Sequence, residues 1–100
     1  KSIFVRNLVK LAKSLKISFE LELIRKRWLK SFSINLRNTR ERRLSFLLNA
    51  TSESMGIEYH QSVKLFNHCL WHKLIKADLN TPLRFENLVS NFDIEVVAHD

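Results

Sequence analysis

Cationic side chains that could bind phosphate are concentrated between positions 25 and 43 of this 100-residue chain. An arginine guanidinium donates paired hydrogen bonds to phosphate oxygens, and several such cations together give a strongly salt-dependent hold on a polyanion. We therefore predict a nucleic-acid interface that contacts phosphates rather than bases. Its candidate residues are Arg25, Lys26, Arg27, Lys30, Arg37, Arg40, Arg42 and Arg43.

The distribution of charge along the chain also indicates an anionic partner for the N-terminal part. Residues 1–43 hold 13 Lys or Arg and 3 Asp or Glu, whereas residues 44–100 hold 4 and 7, so the net charge of +7 is an N-terminal excess. Two other interpretations stay open: a solvated helix face, and a docking surface for an acidic protein segment. A membrane surface is disfavoured. We expect Trp28 to face the interior with Ile24 and Phe32 rather than to stack on a base.

The sequence HCLWH places His68 and His72 one helical turn apart, a spacing that can chelate zinc. A zinc protease would need Glu where Cys69 stands, so we expect structural or exposed histidines and no metal site, although metal binding by this pair stays open. Cys69 is the only thiol available as a nucleophile, but its place on an apolar helix face predicts a packed side chain.

Other signatures of catalysis are weak in the sequence. One glycine cannot supply a glycine-rich phosphate loop, and the ten acidic residues form no paired-carboxylate pattern. We therefore expect no enzyme activity, no cofactor and no small-molecule substrate. The single cysteine excludes an internal disulfide and favours a reducing intracellular compartment, nuclear or cytoplasmic.

Length and composition predict one helical domain over residues 1–100, expected to be a fragment of a larger protein because the chain opens with Lys1. With one glycine and one proline, the chain has few residues suited to the tight turns of a sheet protein. No apolar run approaches the roughly 18 residues needed to span a bilayer. The fold class that follows is all-α.

Apolar residues at helical spacing predict five segments. The first covers 3–15, and the second begins at the N-cap Ser18 and ends in a connection over 35–39. The third runs over 40–54, with Thr39 as a possible cap and Gly56 as its stop. The fourth and most apolar covers 57–77. The fifth is capped by Asn80 or Thr81 and has Pro82 in its first turn, and the tail 94–97 could be extended or add a turn.

The third segment breaks a local rule. Arg40, Arg42 and Arg43 in its first turns would oppose the positive end of the helix dipole by some tenths of a kcal/mol each. Such a departure often marks function, because a bound polyanion would offset these charges.

Together these features predict a compact orthogonal bundle of about five helices with a short C-terminal tail and with the fourth helix central. The function expected first is a non-catalytic DNA- or RNA-binding module of a transcription or replication assembly. The alternative is a protein–protein interaction module, whose basic face or whose apolar groove beside the fourth helix receives an acidic or amphipathic helix. The predicted core contains Leu8, Leu11, Leu15, Ile24, Trp28, Leu44, Leu47, Leu48, Phe66, Leu70, Leu74, Phe85, Leu88 and Phe92.

Overall fold

The chain folds mainly as helix. The computed structural model describes residues 3–12 and 17–97, and the side chains of the first helix only as far as Leu8. In this part of the chain there are four α-helices, a short 3-10 helix and a two-stranded antiparallel sheet. The elements are α1 (Ile3–Ala12), α2 (Phe19–Arg37), α3 (Leu44–Met55), α4 (Tyr59–Trp71), β1 (Ile75–Lys76), the 3-10 helix Val89–Phe92 and β2 (Glu95–Val96). The predicted all-α class is thus confirmed in outline, whereas the orthogonal arrangement stays a prediction.

Local signals fix three helix ends, two of them, Ser18 and Gly56, as predicted. The Ser18 hydroxyl accepts a hydrogen bond from the Leu21 amide at 3.2 Å, so Ser18 caps α2. Gly56 adopts the left-handed conformation, with φ of 68°, and stops α3. A side chain other than glycine would be strained there. The next helix, α4, starts with a capping box in which the Glu58 amide donates to the Gln61 side chain at 2.9 Å.

The core forms where α2, α3 and α4 pack against one another, and α1 contacts α4. Trp28 and Phe32 stack with ring centres 5.0 Å apart, and Phe66 of α4 lies 5.7 Å from Phe32. The indole N–H of Trp28 donates to the Ser62 hydroxyl at 2.9 Å, and that hydroxyl is hydrogen-bonded to Ser52 at 2.6 Å. The expected inward orientation of Trp28 is confirmed, and its polar atom is satisfied despite complete burial.

The fourth helix is shorter than predicted. It ends at Trp71, because Lys73 takes the left-handed conformation with φ of 62° and the Leu74 amide bonds back to the Cys69 carbonyl at 2.8 Å. Ile75 and Lys76, predicted as helix, form β1 and pair with Val96 and Glu95. The tail, left open as extended or helical, is therefore extended.

The predicted fifth helix is wrong. Within the C-terminal segment (residues 72–97), only Val89–Phe92 is helical, as a single 3-10 turn. The Leu83 amide donates instead to the Asn7 side chain at 3.3 Å, and the Phe85 and Asn87 carbonyls accept from the first amides of α3. These long-range partners replace the hydrogen bonds that a helix over this segment would make with itself.

The predicted core is largely correct within the described residues. Seven of its members are fully or almost fully buried, namely Trp28, Leu44, Leu47, Leu48, Phe66, Leu70 and Phe92. Another four, Leu8, Ile24, Leu74 and Phe85, are half-buried. Leu88 is 40% exposed, because the helix that would have turned it inward does not form. The side chains of Leu11 and Leu15 lie outside the described part.

In the part of the chain that the structure describes, no helix has the length and apolar character needed to cross a bilayer.

Candidate nucleic-acid interface

Four of the eight predicted contact residues lie on the outer side of α2. Lys26, Arg27, Lys30 and Arg37 are all exposed. At 100° per residue, Lys26, Lys30 and Arg37 fall within about 40° of one another and extend along roughly 16 Å of helix, with Arg27 to one side of this row. The buried residues of α2 lie on the opposite side. The helix therefore presents one row of cations to solvent.

Arg25 is not part of that row. It is half-buried on the core side of α2, and its guanidinium lies 3.4 Å from Nε2 of the buried His68 on α4. Its position follows from helical spacing, because residue 25 is four positions after Leu21 and four before Leu29, both of which are buried. Of the eight predicted contact residues, Arg25 is thus the one whose side chain is directed toward the core rather than toward solvent.

The other three cations lie on the arginine-rich connection (residues 38–43) between α2 and α3, and not in α3 as predicted. The helix begins only at Leu44, with Arg43 as an N-cap that makes no side-chain hydrogen bond. Thr39, expected as the cap, is buried and donates its hydroxyl to the Asn35 carbonyl at 2.9 Å, at the end of α2. Arg40, Arg42 and Arg43 still precede the positive end of a helix, and all are exposed.

The backbone of the arginine-rich connection is held by the C-terminal segment. The amide of Val89 donates to the Arg42 carbonyl at 2.8 Å, and the amide of Ser90 donates to the Arg40 carbonyl at 3.0 Å. Arg43 forms an isolated antiparallel bridge with Leu88. The main chain under these arginines is therefore fixed by partners distant in sequence, whereas their side chains point to solvent.

The first amides of α3 already have partners. Leu44 donates to the Asn87 carbonyl at 2.9 Å, and Ser45 donates to the Phe85 carbonyl at 2.8 Å. Free amides at a helix start often bind phosphate. Here the C-terminal segment occupies two of them, so an anion at this end of α3 would be held chiefly by arginine side chains.

A cleft of about 650 Å³ lies beside the arginine-rich connection. The Arg42 guanidinium lies 3.9 Å from the centre of the exposed Phe46 ring, a cation–π contact that positions it at the cleft. Burial raises the pKa of the Tyr59 phenol above its usual value of 10.0. The lining residues are Glu41, Arg42, Arg43, Ser45, Phe46, Asn49, Tyr59 and Leu88.

Sequence reasoning missed Phe46 and Tyr59 as members of this site. Phe46 stands three and four positions after Arg43 and Arg42, a spacing that can bring side chains together near the start of a helix. Tyr59 comes from the first turn of α4, and only the packing of α3 on α4 brings it to the cleft.

No carboxylate that the structure describes neutralises these cations. In residues 3–12 and 17–97, no ion pair within 4.0 Å joins an Asp or Glu to any of the eight predicted contact residues. Of the described residues that line the cleft, Glu41 is the one that is acidic. The arginine-rich connection therefore keeps a net positive charge toward solvent.

The Cys69 side chain is fully buried, as expected for a packed thiol. Burial raises its pKa to about 12, although the nearby Arg25 charge acts in the opposite direction. The thiolate, which is the nucleophilic form, is therefore scarce near neutral pH.

The ring centres of His68 and His72 lie 4.4 Å apart. Among the described residues, no group of three or more His, Cys, Asp or Glu side chains is arranged to hold a metal ion.

A second, apolar cavity of about 540 Å³ lies between α1 and the end of α4. Its walls are formed by seven apolar side chains and two lysines. The apolar residues are Phe4, Leu8, Leu70, Trp71, Ile75, Ala77 and Leu79, and the lysines are Lys73 and Lys76. Both lysines are exposed. We refer to this site as the apolar cavity.

Comparison of the sequence with protein-family models gives no match, and comparisons with curated proteins and with solved structures give none either. Function is therefore inferred from the residues and their geometry.

Proposed function

We propose that this chain is a non-catalytic nucleic-acid-binding module that holds the phosphate backbone. The observation that carries this proposal is the arginine-rich connection. Arg40, Arg42 and Arg43 project from a main chain that is hydrogen-bonded to Val89 and Ser90, and no ion pair to a described carboxylate holds their guanidinium groups. A fixed main chain leaves less conformational entropy to be lost when phosphate binds.

The cleft beside the connection adds aromatic surface to the cationic site. Arg42 covers one face of Phe46, and Tyr59 lines the same cleft. Bases that are not paired can stack on aromatic rings, whereas the bases of a duplex are already stacked on each other. The row of Lys26, Lys30 and Arg37 provides further contacts for a longer strand. A single strand and a duplex would both contact the arginines through their phosphates.

A fluorescence-anisotropy titration with a labelled single strand and a labelled duplex tests the proposal. The affinity should fall as salt rises, with a log–log slope of several counterions. Replacing Arg40, Arg42 and Arg43 together by Ala should lower the affinity by about tenfold or more. The same change should reduce the slope by about two to three.

A matched variant removes the same amount of charge elsewhere. Lys64, Lys73 and Lys76 are exposed and lie on α4, after it and on β1. Their joint replacement by Ala should change the affinity by less than about threefold, because none of them lines the cleft and charge outside the site acts only through the screened field. Equal losses in the two variants, or a wild-type affinity that is independent of salt, would contradict a defined phosphate site.

The apolar cavity favours a second candidate function, the docking of an acidic or amphipathic helix. Its apolar walls suit the apolar face of such a helix, and Lys73 and Lys76 suit its carboxylates. A titration with an acidic amphipathic peptide should show weaker salt dependence than the nucleic-acid titration. Replacement of both lysines by Glu should abolish peptide binding and leave the arginine-dependent binding in place. Retained peptide binding would exclude the cavity as the docking site.

A further inference from the structure

The first turn of α2 carries an exposed patch that combines apolar and acidic side chains. Phe19 is 72% exposed and Leu23 is 67% exposed, the two highest values among the large hydrophobic residues that the structure describes as exposed. Glu20 and Glu22 are exposed beside them. These four residues are called the α2 patch.

Helix geometry places the two kinds of side chain in an ordered way. At 100° per residue, Phe19 and Leu23 lie about 40° apart, one turn from each other. Glu20 and Glu22 lie about 80° to either side of the midline between them. The α2 patch is therefore a short apolar ridge with a carboxylate on each flank.

The apolar cavity has the complementary composition. Its lining includes Phe4 and Leu8 of α1 and Leu70 and Trp71 of α4. Lys73 and Lys76 are the charged residues among the described residues that line it. Among the residues that the structure describes, no Asp or Glu lines the cavity. The α2 patch, an apolar ridge with two carboxylates, is therefore complementary to the apolar cavity, which has two ammonium groups. Both surfaces belong to the same chain.

We propose that the α2 patch of one copy of this chain docks into the apolar cavity of a second copy. The inference rests on the second candidate function, helix docking in the cavity, and names this chain itself as the partner. Phe19 and Leu23 fill the cavity, while Glu20 and Glu22 contact Lys73 and Lys76. If both contacts form around a two-fold axis the result is a dimer, and if they do not close they give longer assemblies.

Charges near the ridge restrict how it can dock. Lys26 and Arg27 follow on the next turn of α2 and would repel Lys73 and Lys76, so the N-terminal turn enters the cavity. The net charge of +7 also opposes association of two copies at low ionic strength. At about 0.15 M salt the screening length is about 8 Å, which weakens this long-range repulsion more than direct contacts.

Sedimentation velocity at about 0.15 M salt, with chain concentrations up to about 1 mM, tests for self-association. The wild type should sediment faster as its concentration rises, and Phe19→Gln with Leu23→Gln should remain monomeric. Gln keeps helix propensity and both sites are exposed, so circular dichroism should be unchanged. Ile34→Gln is the control, because Ile34 is also exposed on the outer side of α2 but lies three turns away. A monomeric wild type, or an equal effect of Ile34→Gln, would overturn the proposal.

A charge exchange identifies the two surfaces. One variant carries Glu20→Lys and Glu22→Lys, and another carries Lys73→Glu and Lys76→Glu. Each alone should stay monomeric, since like charges would meet in every contact. A mixture of the two should associate, because lysines on the ridge then meet glutamates at the cavity. If the separate variants associate as well as wild type, or the mixture fails to associate, the pairing is wrong.

The peptide titration and the sedimentation experiment together distinguish helix docking in the cavity from self-association. If the cavity binds an acidic amphipathic peptide while the wild-type chain stays monomeric at every concentration, helix docking holds and a second copy is excluded as the partner. If neither binding is seen, both fail. Peptide binding that competes with self-association supports both.

Discussion

The helical core and the C-terminal segment both contain fully buried apolar side chains but are built in different ways. In the core of α2, α3 and α4, backbone groups bond within their own helix, and side chains such as Phe66 complete the packing. In the C-terminal segment, Phe92 and Ile94 are as deeply buried, yet much of the backbone bonds to distant residues. Burial alone therefore does not distinguish a self-supporting element from one that depends on its partners.

The difference has a consequence for the candidate interface. The C-terminal segment holds the carbonyls of Arg40 and Arg42 and occupies the amides of Leu44 and Ser45. Its Asp78 amide also bonds to the Phe92 carbonyl, and its Val97 amide bonds to the Leu74 carbonyl. Damage to this segment should thus loosen the arginine-rich connection, although none of the predicted contact residues belongs to it.

The largest expected effect comes from removing a buried aromatic ring of the C-terminal segment. Phe92→Ala should lower the free energy of unfolding by about 3–5 kcal/mol, as much as Phe66→Ala in the helical core. Urea denaturation measures both. Leu88→Ala is the control, and because Leu88 is 40% exposed it should cost less than about 1 kcal/mol. A small loss for Phe92→Ala would show that the segment is peripheral.

A pH effect is expected from the helical core. Burial raises the pKa of Cys69 from 9.0 to about 12, so the folded state favours the neutral thiol. This contribution to stability is complete below about pH 9. It should be lost progressively as the pH rises from about 9 toward 12, because the unfolded chain then releases the thiol proton before the folded protein does. Urea denaturation at pH 8 and pH 10.5 should show this loss in the wild type. Cys69→Ala should lose less stability over the same interval; equal slopes would argue against burial as the cause.

Asn7 joins α1 to the C-terminal segment, and its removal should have an intermediate effect. Its side-chain amide donates to the Leu79 carbonyl at 2.8 Å and to the Thr81 carbonyl at 2.9 Å, and its oxygen accepts from the Leu83 amide. Asn7→Ala leaves these groups without that partner and should cost about 1–3 kcal/mol in thermal or urea denaturation.

Ser62→Ala is the matched change in the helical core, since it deprives the buried Trp28 N–H of its acceptor. It should fall in the same range. A cost near zero for Asn7→Ala, with a normal cost for Ser62→Ala, would mean that α1 is not fixed to the segment.

The smallest effects concern the left-handed residues that end α3 and α4. Gly56→Ala should destabilise the protein by about 1 kcal/mol, because alanine is strained at a φ of 68°. Lys73→Gly should stabilise it by up to about 1 kcal/mol, because glycine relieves that strain at a φ of 62°. Thermal unfolding should show midpoint shifts of opposite sign. Shifts of the same sign would contradict this account of the helix ends.

The sequence predicted best where side-chain period and capping residues agree. Trp28, Leu44 and Phe66 each belong to a set of apolar residues at helical spacing within their own helix, and all three lie in the core. The error at the end of α4 arose because lysine, not glycine, takes the left-handed position there. A lysine at position 73 does not by itself predict the left-handed conformation.

The C-terminal segment did carry a signal that the helical interpretation passed over. Apolar and charged residues alternate from Leu83 to Glu86, and in the structure Arg84 and Glu86 are exposed while Leu83 is buried and Phe85 half-buried. Alternation of apolar and charged residues is typical of chain that faces a partner on one side only. Local pattern cannot tell which partner will be there, since Asn7 and Leu44 are many positions away.

The sequence shows which residues are cationic, but it does not show which of them lie together on the folded surface. Composition shows that positions 25–43 are basic, whereas helix geometry turns Arg25 inward and keeps Lys26, Lys30 and Arg37 on the outer side of α2. Phe46 joins Arg42 only because α3 starts at Leu44, and Tyr59 joins them only through packing.

The sequence by itself determined that the chain is mainly helical, that Ser18 and Gly56 end helices, and that positive charge gathers in the N-terminal part. These properties depend on neighbours within about four residues, whose propensities and spacing can be seen directly. Tertiary structure alone decided that residues 80–88 are not helical, that the arginine-rich connection is anchored, and which residues of α1 and β1 line the apolar cavity beside α4. Each of these depends on hydrogen bonds or packing between residues far apart in the chain, where the free energy of distant partners outweighs local preference.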